Sequence, residues 1–110
     1  MKKNILRSKI IQIFKKHKLS KKHSKICADY LIKAELVEAK SHGLTRLKMY
    51  CDRINKKLIN PKPKIKLKRI SSSISYIDAD NGIGFVSGDI GISQAIKNAK
   101  KTGIGLVAVK

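Results

Sequence analysis

Two prolines two residues apart, Pro61 and Pro63, constrain this chain more than any other feature. Proline has no backbone N–H and a fixed φ, and it pushes the residue before it toward extended backbone. No helix can run through Asn60-Pro61-Lys62-Pro63. Apolar residues upstream recur at three- and four-residue steps, the period of an amphipathic helix. Downstream, Ile65, Leu67 and Arg69 alternate with Lys64, Lys66 and Lys68, the period of a strand with one face in water. The chain is therefore expected to divide into a helical segment, residues 1–59, and the start of an α/β core, residues 60–110.

On the helical side, Ile5, Ile10, Ile11, Ile13 and Phe14 form a loose stripe that predicts a helix near residues 3–17. Ser20 is placed to cap a second helix, along which Ile26, Cys27, Tyr30, Leu31 and Ala34 recur. Ser41 is expected to begin a third helix, its stripe carried by Leu44, Leu47, Tyr50, Cys51 and Ile54 to about Lys57. Beyond the prolines, Ile74–Ala79 reads as a second short strand, antiparallel to the first. Asp80-Asn81-Gly82-Ile83-Gly84 is a turn cluster, since Asn and Gly accept positive φ cheaply. A fourth helix is expected from about Gly88 to Lys101, with Ile92, Ala95, Ile96 and Ala99 on one side and Gly103 as its C-cap. Ile104–Val109 is an apolar strand.

Strand, helix and apolar strand make a crossover unit, and strands of that kind usually lie in a sheet covered on both faces. Nothing after Val109 can cover this one, and a sheet of two or three strands is marginal. The order α-α-α-β-β-α-β is thus expected to be an incomplete part of a larger α/β fold.

Composition enters through charge. The chain holds 26 Lys+Arg against 7 Asp+Glu, a formal net charge of +19. Residues 1–69 carry 22 of the basic residues and four of the acids. Such an excess suits a nucleic-acid partner, because basic side chains neutralise phosphates and release counterions. Yet lysine dominates, arginine is scarce, and aromatic residues for base stacking make up 5% of the chain. Lysine together with 17 isoleucines is what an A+T-rich coding sequence over-supplies, and this reading outweighs nucleic-acid binding. The two cysteines, Cys27 and Cys51, have neither metal nor disulfide-framework spacing and are expected to be buried free thiols in a reducing cytoplasm. Met1–Ser20 has no apolar run long enough for a signal-peptide core or a membrane span.

Three constellations could carry chemistry. In Ser41-His42-Gly43-Leu44-Thr45-Arg46-Leu47, His42 and Arg46 stand four apart and would share a helix face. A guanidinium clamps a carboxylate bidentately while an imidazole hydrogen-bonds the neighbouring oxygen, a pairing suited to a small 2-hydroxy or 2-oxo acid. The bland alternative is a capped helix start with a surface histidine and a solvated arginine. His17 and His23 lie among lysines and read as surface histidines, and no spacing suggests zinc. Gly82-x-Gly84-x-x-x-Gly88 is one residue off a dinucleotide fingerprint and reads better as a tight turn.

Taken in order, these segments resemble the malate/L-lactate/ureidoglycolate dehydrogenase family, the non-Rossmann type of malate and lactate dehydrogenase. The resemblance rests on Ala34-Glu35-Leu36 leading to Ser41-His42-Gly43-Leu44-x-Arg46-Leu47, then Tyr50 and Leu58-Ile59-Asn60-Pro61-x-Pro63. Asp78-Ala79-Asp80-Asn81-Gly82-x-Gly84, Ala95-Ile96-x-x-Ala99-Lys100 and Thr102-Gly103-Ile104-Gly105 complete it. It covers nearly the whole chain. It implies an NAD(P)-dependent oxidoreductase of 2-hydroxy acids, with NAD or NADP as cofactor, a three-layer α/β fold and a homodimer. By position it implies that His42 is the active-site histidine near substrate carboxylate and nicotinamide, that Arg46 binds the carboxylate, and that Ser41 supports them.

Two departures bear on these implications. Glu38 stands where many members carry Gly. In the family a Ser-Asn-His segment, whose histidine is the expected proton donor, follows the strand matching Gly105–Val109, and this sequence ends at Lys110 before it. The expectation is an N-terminal fragment, inactive unless it pairs with a longer relative through its last strand. The alternative is a small basic nucleic-acid-binding protein using residues 1–69.

Overall fold

The computed structural model describes residues 3–37 and 44–110, which divide into two compact units, Met1–Lys62 and Pro63–Lys110.

The first unit is helical. Helix α1 spans Lys3–Lys16 and α2 spans Lys21–Leu36. Ser20 has extended backbone and its hydroxyl accepts from the His23 N–H at 3.1 Å, satisfying one of the free donors of the α2 N-terminus as expected. The turn between the helices holds Lys18 in the left-handed region, φ 76°. The Arg7 guanidinium donates to both Asp29 carboxylate oxygens, at 2.6 and 3.3 Å, so the middle of α1 meets the middle of α2 in an antiparallel hairpin. Ile10 and Phe14, one turn apart, are the buried face of α1, with Leu19 at the turn and Cys27, Ala28, Leu31 and Ile32 along α2. Burying side chains of this size stabilises a fold by about 1.5–3 kcal/mol each. Ile5 and Ile13 fall outside that face and reach solvent.

The third helix differs from expectation. Leu44–Arg46 is a single 3-10 turn, and α3 spans Leu47–Asn55. The α-helix therefore starts at Leu47, and the expected start at Ser41 lies outside the described residues. Its buried residues are Cys51 and Ile54, and Thr45 is a poor helix former ahead of that apolar stripe.

The second unit is a three-stranded sheet with one helix. Strand β1 is Lys66–Arg69, β2 is Ile74–Asp78 and β3 is Leu106–Val109, in the order β1-β2-β3. β1 and β2 are antiparallel, with Leu67 opposite Ile77, and β2 and β3 are parallel, with Ile77 opposite Val109. Every residue of β1 is exposed, so its expected dry face is wet: an edge strand with one neighbour has little to cover it. Asp80 and Asn81 adopt positive φ in the turn after β2.

Helix α4 spans Gly84–Thr102 and closes on Gly103, whose φ of 87° and N–H to the Ala99 carbonyl make the expected left-handed cap. It begins four residues before the expected Gly88, and Val86 in that added turn is fully buried, which anchors the early start. Its packed face is Ser87, Gly91 and Asn98, whereas Ile92 and Ile96 are 55% and 49% exposed. Asn98 explains the choice. Its side-chain amide donates to the Ser75 hydroxyl at 3.1 Å and the Ser73 carbonyl at 3.3 Å, while its own oxygen accepts from Gln94. This polar clamp ties α4 to β2. No helix among the described residues is long and apolar enough to cross a membrane.

Candidate functional site

Arg46 is the one predicted site residue within the described part of the chain. Ser41 and His42 lie outside it, so nothing in the structure bears on how they stand relative to Arg46. Arg46 closes the 3-10 turn and occupies the N-cap position of α3, with φ −89° and ψ −10° and no side-chain cap hydrogen bond there. Its side chain is half-buried. Placing Arg46 at the junction of two helix types, rather than within one α-helix from Ser41, removes the simple four-residue spacing argument for a shared helix face with His42.

A groove of about 440 Å³ runs along the outer side of α3, lined by Thr45, Lys48, Met49, Asp52, Arg53, Lys56 and Leu58. Three of those seven side chains are cationic. Asp52 is engaged by Lys48 at 3.5 Å, and both are well exposed, so solvent screens the pair. The sequence reading missed this groove. The spacing of Lys48, Asp52 and Lys56 at four-residue steps was its signal, hidden by the abundance of lysine. Nearby, burial and then the Asp52 charge push the Cys51 thiol upward, while burial alone pushes Cys27 up to about 12. Both are buried free thiols, as expected.

The other candidates resolve as follows. His17 is half-buried, with Nδ1 2.9 Å from the Ile13 carbonyl oxygen. His23 is half-buried and its pKa is lowered, first by burial and second by the charge on Lys22. The glycine-rich stretch is a turn running into α4, as expected. Gly82 is required there because a Cβ would lie 2.7 Å from Cγ of Pro63. The same loop carries two carboxylates: Asp78 accepts from the Asp80 N–H at 2.9 Å, and Asp80 accepts from the Lys64 N–H at 2.9 Å. These hydrogen bonds commit both carboxylates to holding the turn that precedes α4. Among the described residues no group of three or more His, Cys, Asp or Glu could hold a metal ion.

Comparison with known proteins agrees with the motif order. A family model described as malate/L-lactate dehydrogenase matches residues 1–110. A malate dehydrogenase of Pyrococcus abyssi is 42% identical over 108 residues, which is 98% of this chain and 30% of that protein. The malate dehydrogenase structure from Pyrococcus horikoshii matches with a TM-score of 0.92 at 41% identity, covering 97% of this chain and 31% of that one. The sulfolactate dehydrogenase structure from Methanocaldococcus jannaschii matches with a TM-score of 0.94 at 37% identity, covering 99% of this chain and 32% of that one. The chain spans about 30% of the length of the curated relatives it matches. A family match over the full length, with identity and backbone agreement at this level, establishes that the chain belongs to the malate/L-lactate dehydrogenase family.

Proposed function

We propose that this chain supplies the substrate-carboxylate side of an NAD(P)-dependent oxidoreductase acting on small 2-hydroxy acids and their 2-oxo partners. The observation that carries the reading is the family match over residues 1–110, which includes Ser41-His42-Gly43-x-x-Arg46-Leu47. Arg46 clamps the substrate carboxylate, His42 hydrogen-bonds the oxygen beside it, and Ser41 supports the histidine. A half-buried guanidinium on the N-cap of α3 suits that task, because partial removal from water strengthens a charge-assisted pair. A bound nicotinamide would supply hydride chemistry. Residues 1–110 match about 30% of the length of their relatives, so by themselves they are proposed to be inactive and to act with the remainder of the dehydrogenase fold.

The test replaces the matching segment of the Pyrococcus horikoshii malate dehydrogenase with these residues and assays the hybrid. The expected outcome is retained 2-oxo acid reduction. Arg46→Gln in the hybrid should lower kcat/KM by about 10- to 100-fold, the loss of a hydrogen-bonded charged partner worth about 1.5–3 kcal/mol. A folded hybrid whose activity ignores Arg46 refutes the assignment.

A further inference from the structure

We infer that the turn between α1 and α2 is a binding surface for the phosphate backbone of nucleic acid, independent of the dehydrogenase site. Residues 15–25 hold six lysines, Lys15, Lys16, Lys18, Lys21, Lys22 and Lys25, and every one is exposed. His17 and His23 stand among them, and no acid precedes Asp29 in the chain. That first acid is already taken by Arg7, and the Arg7–Asp29 and Lys48–Asp52 ion pairs do not draw on any of the six lysines. Lys21 and Lys22 occupy the first turn of α2, which carries no acid, so the positive end of the helix dipole repels them. Burial lowers the His23 pKa, and the charge on Lys22 lowers it further.

Coding bias does not account for this cluster. The isoleucine that accompanies lysine in such a bias is spread over the chain, nine residues in 1–69 and eight in 70–110. Lysine falls from 18 to four across the same boundary. The cluster is also held in place. Phe14 and Leu19 are buried on either side of the turn and Ser20 caps α2, so the backbone that carries the six lysines is anchored. Counterion release from a regular array of phosphates drives the encounter and offsets the rotamer entropy each lysine side chain loses on contact.

The scarcity of arginine and of exposed aromatic side chains argues against reading bases, and a phosphate track requires neither. It also argues for a backbone over a membrane surface. Lipid binding calls for an apolar wedge beside the lysines. Here Phe14 and Leu19 are buried, and Ile13, one turn before Lys16 on α1, is only 37% exposed.

The test uses the full chain and a fluorescein-labelled mixed-sequence DNA duplex of about 20 base pairs, titrated by anisotropy between about 50 and 200 mM salt. The expected slope of log K against log salt is about −4 to −5, from about 0.9 per phosphate neutralised by most of the six lysines. A variant with Lys18, Lys21, Lys22 and Lys25 changed to Gln should flatten that slope by about 3 and weaken binding more than about 10-fold. A control with Lys66, Lys68, Lys97 and Lys101 changed to Gln has the same net charge and should stay within about twofold of the parent. Equal losses in the two variants would reduce the effect to net charge and overturn the proposal. So would a slope shallower than about −2 for the parent chain, which needs no variant to fold. Phosphatidylserine vesicles that outcompete the duplex at equal phosphate concentration would reassign the surface to lipid.

Discussion

Replacing Gly105 by alanine tests how β3 is seated on α4. A Cβ at position 105 would run into the carbonyl oxygen of Ala95, with the Ala95 carbonyl carbon at 2.8 Å and Cα at 3.1 Å. These are backbone atoms of a helix interior, so no side-chain rotation relieves the overlap. Either β3 moves off or α4 bends. Forcing an extra carbon into a packed interior costs about 1–3 kcal/mol. Moving the entry of β3 also strains the Leu106 N–H to Ser73 carbonyl bond at 2.9 Å, worth about 1 kcal/mol net. Together the expected loss is about 2–4 kcal/mol, or about 4–8 °C in Tm per kcal/mol for a domain of this size. Gly88→Ala supplies the control of opposite sign. Gly88 lies inside α4, a Cβ there meets nothing within 4 Å, and alanine should stabilise the helix by about 0.5–1 kcal/mol. Urea unfolding followed by circular dichroism reads both. A Gly105→Ala chain with an unchanged midpoint would refute the close seating of β3, and with it the reasoning that makes this glycine indispensable.

Other expectations follow from single residues. Asn98→Ala should cost about 1–3 kcal/mol in urea unfolding, because it takes the amide donor from the buried Ser75 hydroxyl and one of two donors from the Ser73 carbonyl. His23 has its folded pKa below its unfolded value, so the unfolded state binds more protons and stability falls as pH drops through about 6.5. Urea midpoints between about pH 7.5 and pH 5 should show a decline that His23→Gln reduces. The Cys27 thiol, raised to about 12, has the opposite linkage, with stability present below the ordinary thiol range and lost as pH rises toward that value. At neutral pH a thiol reagent should label Cys27 no faster than the chain opens, and fast labelling would contradict its burial. Lys57 holds a positive φ of 61° just past the end of α3, where glycine is favoured, so Lys57→Gly should raise the urea midpoint or leave it unchanged.

The limits of what could be read ahead of the structure follow the range of the interactions involved. Ser20 capping α2, the proline break, the antiparallel β1–β2 pair and the Gly103 stop all depend on residues a few positions apart. They were legible for that reason. Arg46 was legible as a residue type in a motif, but its setting was not. Whether it lies inside an α-helix or on the cap of α3 depends on where Cys51 and Ile54 find burial, which no local spacing states. The groove along α3 escaped because one lysine-rich helix face looks like any other until the element beside it is placed.

The sequence by itself determined the family, the division near the prolines, the kinds and order of the elements, and the charge excess of residues 1–69. Tertiary structure alone decided which face of α4 is buried. Local hydropathy favours the side of Ile92 and Ile96, yet the helix packs through Ser87, Gly91 and Asn98. The reason is polar. Asn98 donates to the Ser75 hydroxyl and the Ser73 carbonyl, both more than twenty residues away. An unsatisfied buried polar group costs more than an exposed isoleucine, and that comparison exists only once strand and helix have met.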